Sequence, residues 1–263
     1  MKKWIVPLVL TVITLTSCQK EIAWDDETTS GTDSLSATDT YQPVTAGSKW
    51  TYRMHQSFKI DASMFAGIDL SALGFTQEEF LALLGLASTG YDTTYEYTLT
   101  SLGADTMINA NKYAVFTTTI VGEETRAYFR KDNNSYYQLA PAVNIGGTGG
   151  AGDVQTLYLK DNQPVGTTWQ EDLNAGGAGQ HITYTIKNKG ITKQVNGITY
   201  KDVIEVEVKA SANTAGIPDL PAGFDLSTVT TGFFAKNIGL IYEEQPPAMG
   251  ASMTIELLKA EIK

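Results

Sequence analysis

The amino-acid sequence predicts a mainly β protein, either a single curved antiparallel sheet or a partly open barrel, with one short helix packed on it; a β-sandwich is the alternative. The first observation is that three segments alternate apolar and polar residues with a period of two, which is typical of strands with one buried face. Their apolar positions are Tyr95, Tyr97 and Leu99; Ile182, Tyr184 and Ile186; and Ile204, Val206 and Val208. The second observation is the Asn-Gly pair at 196–197, which readily adopts the positive φ angles of a type I′ hairpin turn.

The last predicted strand contains a change of phase. Its apolar positions are first Met253, Ile255 and Leu257, and then Leu258, Ala260 and Ile262. One extra residue in one strand of an antiparallel pair shifts the alternation in this way. We therefore predict a β-bulge in the last strand.

One segment departs from the β pattern and predicts the helix. Thr76 and Glu79 have the Thr-x-x-Glu spacing of a capping box, and Gly85 lies near the predicted end. The helix body at 80–84 is apolar on nearly every side, which predicts burial on most sides.

A second apolar segment, residues 218–233, lies far from the helix in sequence. We expect both segments to cover the same end or concave face of the sheet. They either fill the core or line a cavity for a lipid-like ligand. The residues that would contact such a ligand are Phe80, Leu83, Leu84, Leu220 and Phe224.

The first 17 residues have the features of a secretory signal peptide. Lys2 and Lys3 precede an apolar run that is too short for a spanning helix and contains Pro7. The run leads into Leu-Thr-Ser-Cys at 15–18, which resembles a lipobox, the site recognised by lipoprotein signal peptidase. The resemblance implies cleavage before Cys18, the only cysteine, and permanent anchoring through a diacylglycerol and an N-acyl chain on it.

We divide the chain into the signal peptide (1–17), the lipidated cysteine with a disordered acidic tether (18–41), and one antiparallel β domain (42–263). The tether is poor in apolar residues, so burial cannot compensate for the entropy of ordering it. The rest shows no internal repeat or break in composition. The net charge is −10, and removal of Lys2 and Lys3 makes it −12, so nothing attracts the protein to nucleic acid.

Two short segments resemble a known group of proteins. Residues 47–52 read Gly-Ser-Lys-Trp-Thr-Tyr, and residues 235–241 read Ala-Lys-Asn-Ile-Gly-Leu-Ile. With the lipobox, they resemble a broad family of Bacteroidota outer-membrane lipoproteins of unassigned function, in which a GxxWxY strand opens the domain and a GxGL segment lies near its end. Asn237 departs from this pattern, since glycine is common there. The resemblance implies no catalytic residues, and some members look like the lipoprotein-carrier proteins, whose curved antiparallel sheet wraps helices and an apolar cavity.

The tether carries two further resemblances to Bacteroidota lipoproteins. The charged start at 19–21, Gln-Lys-Glu, is similar to the signal that follows the cysteine in surface-exposed members. It favours an outer-membrane protein displayed at the cell surface, and the periplasmic face of that membrane stays open as the alternative. The triplet Asp33-Ser34-Leu35 resembles an O-glycosylation acceptor, with Ser34 as the modified residue.

Few side chains are suited to catalysis or metal binding. His55 and His181 are the only histidines, and neither has a partner at helical spacing for a zinc site. His181 falls in the phase of a solvated strand face. We therefore expect no metal, no cofactor and no enzymatic activity.

Carboxylates are the remaining candidates for catalysis. Glycoside hydrolysis needs two carboxyl groups about 5–10 Å apart on either side of a cleft. The adjacent pairs Glu205/Glu207 and Glu243/Glu244 are the candidates, and the first pair is expected on one solvated strand face.

Aromatic side chains raise a different functional hypothesis, the binding of carbohydrate. Exposed rings on a β face can stack against sugars, and Trp50 and Trp169 are the candidates, although core packing is the role first expected of both.

The leading functional hypothesis is a non-enzymatic envelope lipoprotein that binds an apolar ligand or an envelope partner protein. A carbohydrate-binding accessory lipoprotein and an unrecognised hydrolase are the alternatives. An apolar cavity, an exposed aromatic platform and a cleft with convergent carboxylates would distinguish these three functions.

Overall fold

The computed structural model describes residues 39–59, 71, 74, 76, 78–79, 90–141, 153–175, 178–212, 227–248 and 250–263. Nearly all of this part of the chain is β-strand, and its strands form one antiparallel sheet. In chain order they are β1 (Lys49–Phe58), β2 (Tyr91–Ile108), β3 (Asn111–Ile120), β4 (Glu123–Asp132), β5 (Ser135–Pro141), β6 (Asp153–Lys160), β7 (Thr168–Ala175), β8 (Ala178–Val195), β9 (Ile198–Ala212), β10 (Thr228–Ala235), β11 (Gly239–Ala248) and β12 (Ala251–Glu261). The fold-class prediction is confirmed, and the sandwich alternative is wrong because the described strands form a single sheet.

The sheet is an up-and-down meander that curls into a nearly closed barrel. Each strand pairs with its neighbours in sequence except at β6 and β7, which are the two edges, and β1 pairs with β12. Successive strands run in opposite directions, so their connections alternate between the two ends. We call the end where β1 begins and β12 ends the base, and the opposite end the far end.

The connections from β1 to β2 and from β9 to β10 both lie at the far end. Phe58 and Tyr91 are register partners there, as are Thr228 and Ala210. These connections contain the two apolar segments predicted to cover one end of the sheet, which lie for the most part outside the described residues. The flanking strands place both connections at the far end, but residues 228–233 of the second segment form most of β10 and do not cover that end.

The alternating segments of β8 and β9 have the predicted buried faces, whereas Tyr95, Tyr97 and Leu99 of β2 are only half-buried. Ile186, Ile204 and Val206 are fully buried, and the intervening positions face solvent. Glu207, for example, forms an exposed ion pair with Lys187 at 3.3 Å.

The predicted hairpin turn and β-bulge are both confirmed. Asn196 and Gly197 have φ angles of +48° and +78° in the turn between β8 and β9. Tyr52 pairs with Leu257 and Thr51 with Lys259, so Leu258 is the extra residue of β12. The two features are connected, because Asn196 Nδ2 donates a hydrogen bond to the Leu257 carbonyl at 2.9 Å.

The predicted capping box is present before the helical residues at 78–79. The Glu79 carboxylate accepts hydrogen bonds from the backbone N–H and the hydroxyl of Thr76, at 2.8 and 2.9 Å. The Glu79 N–H donates in return to Thr76 Oγ1 at 3.2 Å. The helix body at 80–84 lies outside the described residues.

The segment before β1 packs against the base of the barrel. Tyr41 is buried in the core, and its backbone N–H donates to the Tyr136 hydroxyl at 3.1 Å. Asn237 holds the same segment: its side-chain oxygen accepts from the N–H groups of Asp39 and Thr40, and its N–H donates to the Thr40 carbonyl at 2.6 Å. Residues 39–41, which the sequence analysis placed in the tether, are therefore ordered against the domain.

Side chains, rather than strand pairing, close the barrel between β6 and β7. The Trp169 indole N–H donates to the Leu157 carbonyl at 2.7 Å, and the Leu157 N–H donates to Glu171 Oε1 at 2.9 Å. Glu171 Oε2 also accepts from the Tyr184 hydroxyl at 3.4 Å. These bonds satisfy backbone groups that an open sheet edge would leave free. We call this contact the seam.

Aromatic rings from opposite walls meet inside the barrel. The Tyr158 ring on β6 lies 6.3 Å from Phe129, 6.2 Å from Tyr136 and 5.6 Å from Phe234, measured between ring centroids. Since β6 and β10 are far apart in the sheet, their contact spans the interior. This part of the barrel is a packed core.

Candidate functional site

The candidate site begins with a row of residues across the core face of the sheet. From β2 to β8, register pairs place Tyr95, Met54, Ile255, Glu243, Gly232, Val206 and Ile186 side by side. Because paired residues of an antiparallel sheet project to the same face, Glu243 shares the face of the buried Ile255 and Val206. It is the only residue of this row with a charged side chain.

The residues around Glu243 towards the far end combine sulfur, amide and aromatic groups. The Met54 sulfur accepts hydrogen bonds from the Tyr95 hydroxyl at 2.7 Å and from the buried Gln56 amide at 3.1 Å. Gln56 is the register partner of Met253. Methionine adapts its shape easily and is common on surfaces that accept varied apolar partners. We call the set Met54, Gln56, Tyr95, Tyr97, Glu243 and Met253 the far-end wall.

The Glu243 carboxyl lies in an apolar environment. Burial alone raises its pKa to about 7, and in the described part of the chain it makes no hydrogen bond or ion pair. Its register partners, Ile255 and Gly232, offer no polar side chain. An unpaired carboxylate in such a place is costly, since burial disfavours the charged form.

A second polar group of the interior also lacks a partner. The Tyr158 hydroxyl is buried and makes no hydrogen bond with the described residues. Burial raises the pKa of Tyr158 well above its usual value. Tyr52 interacts electrostatically with both Tyr158 and Glu243, which places the three groups in the same part of the barrel.

These residues lie deep in the protein and still keep accessible surface. Burial is the main cause of the raised pKa values of Tyr97, Tyr158 and Glu243, so their polar groups are far from bulk solvent. Their side chains are nevertheless only half-buried, in contrast to the fully buried Ile186 and Val206. Tyr97 and Glu243 therefore keep some accessible surface on the core face, whereas Tyr158 is enclosed by the rings of Phe129, Tyr136 and Phe234.

The two segments behind the family resemblance contact each other at the base and have a structural role there. The Trp50 indole N–H donates to the Ile238 carbonyl at 2.7 Å, and the Tyr52 hydroxyl donates to the Leu240 carbonyl at 3.0 Å. Asn237 replaces the usual glycine in a left-handed conformation, with φ of +62°, which asparagine tolerates better than most residues.

Neither tryptophan offers a ring to a sugar. Trp50 is 1% exposed and packs near Phe116, and Trp169 is 7% exposed and stacks on Tyr184 at 5.2 Å. Each indole N–H is used by a backbone carbonyl. The core-packing alternative is the correct one for both residues.

Both histidines lie on the surface, each beside an aspartate. His55 Nε2 is 2.7 Å from Asp92, and His181 Nδ1 is 2.7 Å from Asp172. Ser211, opposite His181, donates its hydroxyl to the His181 backbone carbonyl at 3.3 Å and not to the ring. Across the described residues, no group of three or more His, Cys, Asp or Glu side chains is arranged to hold a metal ion.

The adjacent carboxylate pairs do not form a catalytic pair. Glu205 accepts from Asn188 at 2.6 Å on the solvated face that it shares with Glu207. Glu243 and Glu244 project to opposite faces because they are neighbours in one strand, and Glu244 accepts from the Tyr242 hydroxyl at 3.1 Å. The pairing of Glu243 and Glu244 in one cleft is therefore wrong.

The sequence offered no signal for the interior position of Glu243. The stretch from Gly239 to Gln245 shows no alternation, because Ile241 is an extra residue where β11 pairs with β10. The register with β12 decides which of the two glutamates faces inward.

Several predicted site residues lie outside the described residues. They are the lipidation site Cys18, the glycosylation candidate Ser34 and the ligand-contact candidates Phe80, Leu83, Leu84, Leu220 and Phe224. No helix in the described ranges is long and apolar enough to cross a membrane.

No protein-family model matches the chain. No curated protein sequence matches it either. Solved structures that are similar include a candidate lipoprotein from Parabacteroides distasonis, 8% identical, and a candidate exported protein with a YmcC-like fold from Bacteroides fragilis, 9% identical. Each match covers 85% of this chain and 99% of the other, with a TM-score of 0.46. A likeness of this degree assigns neither a family nor a function to this chain.

Proposed function

We propose that this protein is a non-enzymatic envelope lipoprotein that binds an apolar ligand inside the barrel, against the far-end wall. The observation that carries the proposal is the partial exposure of Met54, Tyr97, Glu243 and Met253, which lie together on the core face of the sheet. Ligand sites are typically concave and mostly apolar, with a few polar groups that orient the ligand. The methionine, tyrosine, glutamine and glutamate side chains of the far-end wall supply this combination.

The signal peptide and Cys18 support the envelope address. The proposed location is the outer membrane, with the protein held by lipid on Cys18 and displayed at the cell surface. The described chain starts at Asp39 against the base. A tether that arrives at the base leaves the far end free to face away from the membrane.

Extraction of the purified protein tests the ligand directly. We expect mass spectrometry of an organic extract to find an apolar molecule in stoichiometric amount. After extraction, the protein should bind the neutral fluorophore N-phenyl-1-naphthylamine at one site per molecule. A protein that yields no apolar molecule and binds no fluorophore would overturn the proposal.

Two matched variants locate the binding. Met253 faces the interior as the register partner of Gln56, and the next residue, Thr254, projects to the opposite face. Met253→Trp should weaken fluorophore binding about tenfold, whereas Thr254→Trp should leave it unchanged. If Met253→Trp does not fold, Met253→Glu at pH 8 serves the same purpose, because a charged group on the wall opposes an apolar ligand. Equal binding by all folded variants would place the fluorophore elsewhere.

The anchor has its own test. Cys18→Ala should abolish incorporation of labelled fatty acid and prevent lipoprotein processing. Protease added to intact cells should release the wild-type domain if the protein is displayed at the surface. Protection in intact cells, followed by cleavage after outer-membrane rupture, would place it on the periplasmic face.

A further inference from the structure

We infer that the ligand is an amphiphile whose head group is a positively charged amine, held by the carboxyl group of Glu243. The inference rests on the proposed function and adds the chemical class of the ligand. It comes from the position of one acidic group on an otherwise uncharged part of the interior.

Glu243 is the only charged residue in its row across the sheet. The row from Tyr95 to Ile186 crosses seven strands, and its other members are apolar, aromatic or glycine. Gly232 lies beside Glu243 and is covered by the Phe234 ring and the Leu240 side chain, so a ligand would reach the carboxyl from the side of the half-buried Met54 and Met253. No ion pair among the described residues includes Glu243.

Within the described part of the chain, the groups that face Glu243 are neutral. Tyr52 and Tyr97 interact with it electrostatically, and burial raises the pKa of both phenols far above neutrality. Ile255 on β12 and Gly232 on β10 carry no charge. A bound cation is therefore the complement that would stabilise the ionised carboxyl, because a buried charge is stable only when it is paired and hydrogen-bonded.

The electrostatics also argue against an anionic head group. A fatty-acid carboxylate would meet the Glu243 carboxyl in a region of low dielectric, where like charges repel strongly. The full chain carries a net charge of −10, which adds to the unfavourable potential for an anion.

Three probes of equal chain length test the inference: decylamine, decanol and decanoic acid. Each is added to the extracted full-length protein to displace N-phenyl-1-naphthylamine. At pH 8 we expect decylamine to displace the fluorophore at a concentration about tenfold lower than decanol, as a charge-assisted hydrogen bond typically contributes. Decanoic acid should be the weakest of the three.

Glu243→Gln provides the decisive comparison. In this variant, the affinity for decylamine should fall to that for decanol, and the affinity for decanol should stay the same. Glu244→Gln, on the opposite face of the same strand, should keep the preference for the amine. For the wild type, the preference should also fall between pH 8 and pH 5.5, because the carboxyl takes up a proton while the amine stays charged.

The possible results separate the two proposals. If none of the three probes displaces the fluorophore and no apolar molecule is extracted, the proposed function fails. If all three bind with equal affinity, or if Glu243→Gln keeps the preference for the amine, the amine inference is overturned and apolar binding stands.

Discussion

At the scale of single residues, Glu243 shows how one position in a strand determines the chemistry of a carboxyl group. Glu244 lies next to it and is hydrogen-bonded to Tyr242 on the outer face, whereas Glu243 faces the interior without a partner in the described chain. The difference arises from strand geometry alone, since successive side chains point to opposite faces.

The raised pKa of Glu243 predicts a pH-dependent stability in the ligand-free protein. Its pKa is 4.5 in an ordinary environment and about 7 in the folded state, so folding favours the protonated form. The stability that the folded protein gains from a protonated Glu243 is fully present below pH 4.5 and is lost as the pH rises through 7. Glu243→Gln, which resembles the protonated form, should therefore stabilise the protein by about 3 kcal/mol at pH 8 and by almost nothing at pH 4.5. Urea denaturation at both pH values measures the difference.

Glu244→Gln is the control for this measurement. The amide oxygen can still accept from Tyr242, so its effect should be small and similar at both pH values. An equal stability difference between wild type and Glu243→Gln at pH 4.5 and pH 8 would show that the Glu243 carboxyl is solvated rather than buried.

Asn196 joins the β8–β9 turn to the bulge of β12 through its side-chain hydrogen bond. Its replacement should therefore reduce the free energy of unfolding by more than backbone strain alone would. Asn196→Ala forces alanine into the left-handed region and leaves the Leu257 carbonyl without its donor. Asn109→Ala produces the same kind of strain at φ of +50°, at a position where the structure describes no side-chain hydrogen bond. We expect Asn196→Ala to destabilise by about 1 kcal/mol more than Asn109→Ala in chemical denaturation. Equal losses would mean that the Asn196 bond contributes nothing to stability.

At the scale of elements, the seam between β6 and β7 is the point where the barrel is closed without a ladder of backbone bonds. The Leu157 backbone is held there by Trp169 and Glu171. Burial raises the pKa of Glu171, although its bonds to Leu157 and Tyr184 oppose that rise. The seam should therefore depend on a few side chains, whereas the other strand pairs depend on several backbone bonds each.

Hydrogen exchange at the Leu157 amide tests the seam. Glu171→Leu removes the acceptor of this N–H, and exchange should accelerate about tenfold or more relative to the Val206 amide in the central sheet. Glu171→Gln keeps an acceptor oxygen at the same place. It should therefore change the exchange rate of the Leu157 amide, relative to that of the Val206 amide, by less than about threefold. Similar acceleration in both variants would show that the bond between Leu157 and Glu171 does not protect the seam.

At the scale of the whole molecule, the two ends of the domain meet at the base. β1 and β12 are paired along their length, and the segment before β1 is fastened to the β10–β11 turn through Asn237 and an ion pair between Asp39 and Lys236. This segment belongs to the folded unit, since Thr40 and Tyr41 are buried.

Truncation separates the tether from the folded unit. A chain that starts at residue 39 should unfold at the same temperature as the mature protein. A chain that starts at residue 49 loses the buried Tyr41 and should be less stable by about 3 kcal/mol or more, comparable to the removal of other large buried side chains. Thermal and urea denaturation of both chains provide the comparison. Equal stability of both truncated chains would show that residues 39–48 only rest on the surface.

Local patterns predicted the strands, the Asn-Gly turn, the bulge at Leu258 and the capping box at Thr76. Each of these depends on residues close together in sequence, through side-chain alternation, permitted φ angles or short-range hydrogen bonds. The choice between core packing and sugar stacking for the two tryptophans depended instead on residues far apart in sequence. The burial of Trp50 and Trp169 depends on the Ile238 and Leu157 carbonyls, of which the first is 188 residues away.

The sequence by itself therefore determined the fold class, the antiparallel character of the strands and the predicted lipid anchor. The tertiary structure decided that the strands form one sheet closed at the seam, that Tyr41 belongs to the core, and that Glu243 rather than Glu244 faces inward. The physical reason is register. Alternation shows that a strand has two faces, but an added residue such as Ile241 exchanges those faces, and only pairing with distant strands establishes which side is buried.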